Sequence, residues 1–306
     1  MSHATPIRMQ KSNSIFADLM SSKGQAVLLM LPPAVLLFTL FVALPLFDAA
    51  YYSLFKWNGY GTPTDFVGVD NFRQVLNHGI FWQSVRNTLI VLAVSLFIQL
   101  PLALGLALMI YEKTPANTLF RLVFFLPYIL AEIASGLIWS FVFDGNSGVA
   151  SAVFKSLGMA PVFILADRTW AFLAITLVVV WKYFGFHMMI FVAALQSVPK
   201  ELLEAARLEG AKRWEVVRFV QVPLIGAAIG VSAFFAVVGS LQLFDVVIPL
   251  TNGGPSNSTH TIVTYLYSFG LTRNRIGFGS AVGVLLFIAA IGVSIFYQRQ
   301  TNRGSK

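Results

Sequence analysis

No cysteine occurs in the 306 residues, which removes disulfide frameworks, thiolate nucleophiles and cysteine-based zinc or iron–sulfur sites. Charge is nearly as scarce: Asp, Glu, Lys and Arg make up 11% of the chain, against about 25% in an ordinary soluble domain. The four histidines, His3, His78, His187 and His260, are scattered without a His-Glu-x-x-His pair or a common helical face. No Gly-x-x-x-x-Gly-Lys-Ser/Thr phosphate loop is present, so this chain is not its own ATPase by that mechanism. A polytopic membrane enzyme would need a convergent acid, base, nucleophile or metal set, and none is visible.

What fills the chain instead is apolar: 57% hydrophobic residues and a mean hydropathy of +0.75. A hydrocarbon core of about 30 Å takes roughly 20 apolar residues per helix. Six stretches meet that length, near 25–47, 87–110, 119–143, 170–195, 224–249 and 276–297. The first is too long for the apolar core of a signal peptide, and Asp48-Ala49-Ala50 is a poor cleavage site. It reads as a retained helix. The expectation is an all-α membrane protein with six transmembrane helices.

The net charge of +8 does not describe a nucleic-acid surface, because the cations lie between apolar spans rather than clustered on a soluble scaffold. They set orientation instead. With the N-terminus in the cytoplasm, inside segments hold Arg8, Lys11, Lys23, Lys113, Arg121, Lys200, Arg207, Lys212, Arg213, Arg218, Arg299, Arg303 and Lys306. Outside segments hold only Lys56, Arg73, Lys155, Arg168, Arg273 and Arg275, with Arg86 at a boundary and Lys182 inside a span. Both termini are therefore expected inside: a cytoplasmic tail over 1–24, a single transmembrane domain over 25–298, and a second tail over 299–306. The outer segments are turn-rich loops, the last of them, around 251–256, a linker. No segment between spans is long enough for a catalytic domain.

One stretch breaks the apolar pattern: ELLEAARLEGAKRWEVVRFVQVPLI, residues 201–225. Pro199 suits the first turn of a helix, Ser197 is a plausible N-cap, and Glu201 and Glu204 favour the positive end of the helix dipole. A helix ending near Glu209 is followed by Gly210, which supplies backbone freedom for a turn. A second helix resumes over 211–221, with Lys212, Glu215 and Arg218 on one face and Trp214, Val217 and Val220 or Gln221 on another. Pro223 marks entry into the fifth span. From these residues alone, a surface anchor and a partner-docking element are both open.

The motif Glu204-Ala205-Ala206, three residues, Gly210, nine residues, Val220, one residue, Val222-Pro223 resembles the EAA signature of binding-protein-dependent ABC importer permeases, with valines where the signature has Ile and Leu. FVGVDNFRQVL (66–76), FWQSVRNTL (81–89), FFLPYILAEIASGLIW (124–139) and LTNGGPSNSTHT (250–261) resemble the sugar-permease branch similar to the maltose and glycerol-phosphate systems. The resemblance covers nearly the whole chain, and order and spacing carry it.

It implies a type I ABC importer permease fold and a transmembrane subunit carrying a sugar, glycoside or related polyol. In that family the segment 198–223 couples to a cytoplasmic ATPase: Glu204 makes a polar contact, Ala205 and Ala206 pack in its cleft, and Gly210 makes the bend. The implied partners are a second homologous permease, two copies of the ATPase and a periplasmic or lipid-anchored binding protein. ATP and Mg would be bound by the ATPase, with no cofactor and no nucleic acid on this chain. The implied location is the bacterial inner membrane.

Polar groups at bilayer depth usually face a bundle interior or a pathway. The candidates are Glu132, Lys182, His187, Gln242 and Asp245, with Trp139, Trp181, Tyr183 and Phe244 as aromatic faces for a sugar. Structural alternatives stay open: a Glu132–Lys182 ion pair, a hydrogen-bonded His187, Asp245 at the outer interface, and tryptophans in packing or interfacial belts. Pro101, with Gln99 nearby, reads as a kink rather than a ligand site. A secondary transporter is the remaining rival; it would normally show repeat symmetry and has no need of an EAA loop.

Overall fold

The computed structural model describes residues 22–160 and 162–304. The expected N-terminal tail lies outside the described residues up to position 21. Among the described residues all regular structure is helical, apart from one isolated bridge between Phe55 and Phe66. The chain divides into two compact units, Met1–Tyr51 and Tyr52–Lys306.

The first unit is the apolar helix α1, whose span Leu29–Tyr52 ends at the unit boundary. The second contains α2 (Asp70–Leu76), α3 (Gly79–Ile110), α4 (Pro115–Ile129), α5 (Glu132–Val142), α6 (Val149–Ser156) and α7 (Arg168–Gln196). It continues with α8 (Lys200–Leu208), α9 (Arg213–Leu224), α10 (Gly226–Leu241), α11 (Val247–Thr251), α12 (Ile262–Leu271) and α13 (Ile276–Gly304). Among the described residues four helices are long and apolar enough to cross a membrane, and counting each of two bent pairs as one span gives six. The expected C-terminal tail continues α13 as helix to Gly304.

Two of the six expected spans are not single helices. The third bends by 95° between α4 and α5, where Leu130 and Ala131 take extended backbone with ψ of 142° and 138°. The fifth bends by 70° between α9 and α10, stops at Leu241, and resumes as α11. An unbroken apolar run conceals both interruptions, because hydropathy reports the surroundings of a residue and not its φ and ψ. The second span also begins earlier than expected, at Gly79.

Proline placement accounts for a further irregularity. The π-helical turns Thr39–Ala43, Ser95–Gln99 and Val217–Gln221 each end two residues before a proline: Pro45, Pro101 and Pro223. A proline lacks the amide hydrogen and its ring crowds the carbonyl four residues back. Widening the preceding turn by one residue accommodates both.

Helix α7 is the centre of the second unit, with 61% of its span window buried against 28% for α3. Asp167 caps it, its Oδ1 accepting from the amides of Thr169 and Trp170 at 2.9 Å each. One end of α7 packs Met188, Phe191, Val192 and Leu195 with Leu100, Ala103 and Ala107 of α3 and Leu203 of α8. The other end packs Ile175, Val178 and Val179 with Val91, Val246, Val247 and Leu250. At Gly185 the approach is closest: a Cβ there would collide with the Phe124 carbonyl of α4.

The segment 252–261, which takes in most of the linker expected around 251–256, is a hydrogen-bonded plug: Asn252, Ser256 and Asn257 are exposed, but its end is buried. Thr259, His260 and Thr261 are each 1% exposed or less. Asn87 of α3 donates from Nδ2 to the carbonyls of Ser258 at 2.7 Å and His260 at 2.9 Å. Thr261 Oγ1 donates to the Leu243 carbonyl at 2.6 Å, and Thr88 Oγ1 accepts from the Ile262 amide at 3.1 Å. The His260 ring covers Gly253, where a Cβ would overlap it.

Two outcomes follow from this plug. Asn87→Leu orphans two buried carbonyls at about 1–3 kcal/mol each, so thermal melting of the detergent-solubilised transporter should fall markedly; an unchanged midpoint would show that the plug does not need Asn87. Burial, reinforced by the Arg273 guanidinium, lowers the pKa of His260 from 6.5 to about 4. The unfolded chain therefore takes up a proton below about 6.5 that the folded ring excludes. The associated stability is complete above pH 6.5 and lost as pH falls towards 4. His260→Gln should flatten this acid slope, leaving a residue from His78, which burial, Arg273 and Arg275 lower in the same direction.

Candidate solute cavity and cytoplasmic segment

Three of the interruptions in the helices border one cavity. A cavity of about 280 Å³ lies between Val91, Ser95 and Gln99 of α3, Tyr128 and Glu132 flanking the α4–α5 break, the α7 face Val179, Tyr183, Phe186 and His187, and α10 with Gln242 and Leu243 after its end. The four α7 positions fall at i, i+4, i+7 and i+8, one stripe of a helix. The π-helical turn before Pro101 contains Ser95 and Gln99, and the end of α10 leaves Gln242 at the rim, exposed.

Aromatic faces and polar atoms alternate along the wall. Tyr128 stacks on Phe186 with centroids 4.8 Å apart, and Phe186 meets Phe235 edge to face at 5.6 Å. Tyr183 donates its hydroxyl to Glu132 Oε1 at 2.9 Å. Ser240 donates to the Ala236 carbonyl at 2.7 Å and lies 3.4 Å from Ser95 Oγ. Gln99 and His187 are 2% and 3% exposed, yet Gln99 Oε1 and His187 Nδ1 have no hydrogen-bond partner among the described residues. Buried polar atoms in this position are costly unless something hydrogen-bonds to them.

Of the nine residues expected from sequence to line a pathway, Glu132, Tyr183, His187 and Gln242 meet in this cavity. The other five lie outside its wall. Trp139 and Trp181 pack edge to face at 5.3 Å within the core around Val178 and Val246. Phe244 and Asp245 sit in the turn between α10 and α11, Phe244 edge to face with Tyr267 at 5.1 Å. Lys182, 1% exposed, donates from Nζ to the carbonyls of Leu130 at 2.7 Å and Pro127 at 3.4 Å.

The Glu132–Lys182 ion pair held open as an alternative is therefore not formed: each has another partner. Nor does His187 Nδ1 bond between helices. Sequence reasoning passed over Ser95, Gln99, Tyr128, Phe186 and Ser240. Pro101 was the available signal for the first two, read as a kink without the consequence that a widened turn redirects its side chains. The helical stripe from Val179 to His187 could have found Phe186.

At the end of the bundle that the basic residues mark as cytoplasmic, α8 starts at Lys200 with Pro199 as its N-cap; Ser197 instead closes α7, its Oγ donating to the Ala194 carbonyl at 2.7 Å. Proline's ψ of 131° places it just outside the helix rather than in the first turn. The far end of α8 closes on Gly210 at φ +87°, where the Gly210 amide bonds to Arg207 O at 3.0 Å and the Ala211 amide to Ala206 O at 3.1 Å. That double bond pattern with a left-handed glycine is a Schellman stop. The α9 start is fixed by the Lys212 amide donating to Glu215 Oε2 at 2.6 Å.

Leu203 is buried and Ala206 packs against the chain's own core, while Glu204 and Ala205 face outward and Leu208 is 89% exposed. In α9 the inward residues are Val216, Val220 and Gln221, and Trp214 lies on the exposed side, 56% exposed. The expected apolar face therefore does not include Trp214.

Residues 99–304 match the family described as binding-protein-dependent transport system inner membrane component. The chain is 32% identical over 275 residues to the sulfoquinovosyl glycerol transport system permease protein SmoG of Agrobacterium fabrum, covering 90% of this chain and 89% of that one. It is 31% identical over 263 residues to the diacetylchitobiose uptake system permease protein NgcF of Streptomyces coelicolor, covering 82% and 74%. A subunit of a bacterial ABC transporter that imports the acidic polysaccharide alginate shares the fold, with a TM-score of 0.83 at 23% identity over 95% of this chain and 99% of that one. The chain belongs to the binding-protein-dependent transport system inner membrane components, the membrane-embedded permease subunits of ABC importers, whose work is transport and not catalysis.

Proposed function

We propose that this chain is one half of the channel of a bacterial inner-membrane importer for a sugar, glycoside or sugar derivative, and that the cavity beneath the α4–α5 break is its solute site. The cavity wall carries the reading: stacked Tyr128 and Phe186 offer a face for a sugar ring, while Gln99, His187, Ser240 and Gln242 offer hydroxyl partners. Few fixed polar contacts in a small, partly open cavity suit a weak, transient site that a transported solute can leave. The solutes named for the relatives, sulfoquinovosyl glycerol and diacetylchitobiose, are both glycosides.

Energy enters through residues 198–223 as the coupling loop of the single permease domain, 25–298. Glu204, Ala205 and Leu208 form the outward side of α8 and would meet a cleft on a cytoplasmic ATPase. Ala206 seats α8 on its own bundle, Gly210 sets the angle, and Pro223 carries movement of α9 into the bend above it. The complete machine pairs this chain with a second homologous permease, two ATPase copies that bind ATP and Mg, and a periplasmic or lipid-anchored binding protein.

Gln242 has an exposed side chain at the rim, so Gln242→Ala should leave assembly intact while raising the KM for uptake several-fold, on the order of one lost hydrogen bond. Asp245→Ala, outside the wall, should change KM less. Equal KM values for wild type and Gln242→Ala would remove that residue from the site. At the coupling loop, proline cannot adopt the φ of +87° held by Gly210. Gly210→Pro and Glu204→Lys should each insert normally yet lose solute-stimulated ATPase and uptake together. Normal values for both in a reconstituted complex would refute the coupling assignment.

A further inference from the structure

The α4–α5 break interrupts the helical hydrogen-bond ladder within an apolar span, and α7 supplies partners for it. The carboxyl end of α4 presents carbonyls with partial negative charge, and Lys182 Nζ donates to two of them, Leu130 O at 2.7 Å and Pro127 O at 3.4 Å. The amino end of α5 carries partial positive charge, and Glu132 stands in its first turn. Tyr183, the next residue after Lys182, donates to that carboxylate at 2.9 Å. Gly185 lets α7 approach until its backbone touches the Phe124 carbonyl of α4. Lys182, Tyr183 and Gly185 thus form a seat for the break.

We propose that Lys182 is a positioning residue for solute recognition: by holding the carbonyls at Pro127 and Leu130 it fixes the 95° break and so sets where Tyr128 and Glu132 stand in the cavity wall. Lys182 itself lies outside that wall, so it acts on the solute only through them. A neutral apolar side chain of similar length would leave two carbonyls without donors, and the break would sample several angles. Solutes would then meet a blurred wall, with weaker binding and poorer discrimination. This rests on the reading of the cavity as the solute site.

The test uses the complete transporter in liposomes, comparing wild type, Lys182→Met and Lys182→Arg. Because the chain has no cysteine, Ala116→Cys and Phe141→Cys place one spin label on each side of the break, the other subunits being made cysteine-free. Lys182→Met should broaden the distance distribution between the labels, raise the KM for uptake roughly tenfold, as expected when a binding wall loses one or two hydrogen-bond equivalents, and narrow the difference in uptake between competing sugars. Lys182→Arg, which still supplies charged donors, should bring the distance distribution and KM back towards wild type.

A wild-type distance distribution in Lys182→Met, or a broadened one with unchanged KM and selectivity, overturns the proposal. Failure of both variants to assemble also overturns it, since Lys182 would then be a folding requirement alone. Gln242→Ala separates the two readings. If it alters KM while Lys182→Met does not, the solute cavity stands and only the positioning role fails; if neither variant alters KM, the cavity assignment itself is in error.

Discussion

Within a hydrocarbon layer every backbone amide and carbonyl must find a partner inside the protein, and this constraint governs where the chain can depart from helix. Several departures in the second unit have an identifiable compensation. Lys182 donates to the carbonyls where α4 stops. In the outer segment after α11, Asn87 does the same for Ser258 and His260. Before Pro101 and Pro223 the helix widens into a π-helical turn rather than losing its hydrogen bonds outright. A soluble protein could leave such groups to water; here the side chains that satisfy them are structural necessities.

The departures are not spread evenly. The α4–α5 break, the π-helical turn of α3 and the end of α10 all border one cavity. Regular helices present side chains of fixed spacing and hide their backbones, which makes smooth, apolar contact surfaces. A pocket of aromatic and hydroxyl-binding groups needs side chains to emerge at other angles, and interrupted helices provide them. The cavity and three interruptions of the helices therefore coincide. Helices α8 and α9 are irregular for another reason. A short helix, a left-handed glycine and a second helix hold a bend that leaves Glu204 and Leu208 exposed.

Much of this was legible beforehand. Six apolar runs, the asymmetry of basic residues and the charged stretch around Gly210 follow from transfer energetics and local propensity, which act residue by residue. The turn at Gly210 was readable because a positive φ is a property of glycine itself. The breaks at Leu130 and after Leu241 were not readable, since Leu-Ala and Leu-Gln inside apolar runs carry no turn signal. Nor was the partner of Lys182: a cation and a carboxylate within apolar spans invite an ion pair, and only the three-dimensional arrangement gives the ammonium to carbonyls and the carboxylate to Tyr183.

Residue order alone was enough to read a helical, membrane-embedded chain with a charged, bent segment on one side. Those properties depend on composition and short-range order, and apolar residues seek hydrocarbon wherever the fold places them. Only the tertiary structure decided which polar side chains share a cavity, because that depends on helix rotation and on where helices are broken. Four of the nine expected residues line it; Lys182 bonds to backbone carbonyls, Trp139 and Trp181 pack in the core, and Ser95, Gln99, Tyr128, Phe186 and Ser240 complete the wall. Long-range packing around α7, which no local pattern encodes, made that selection.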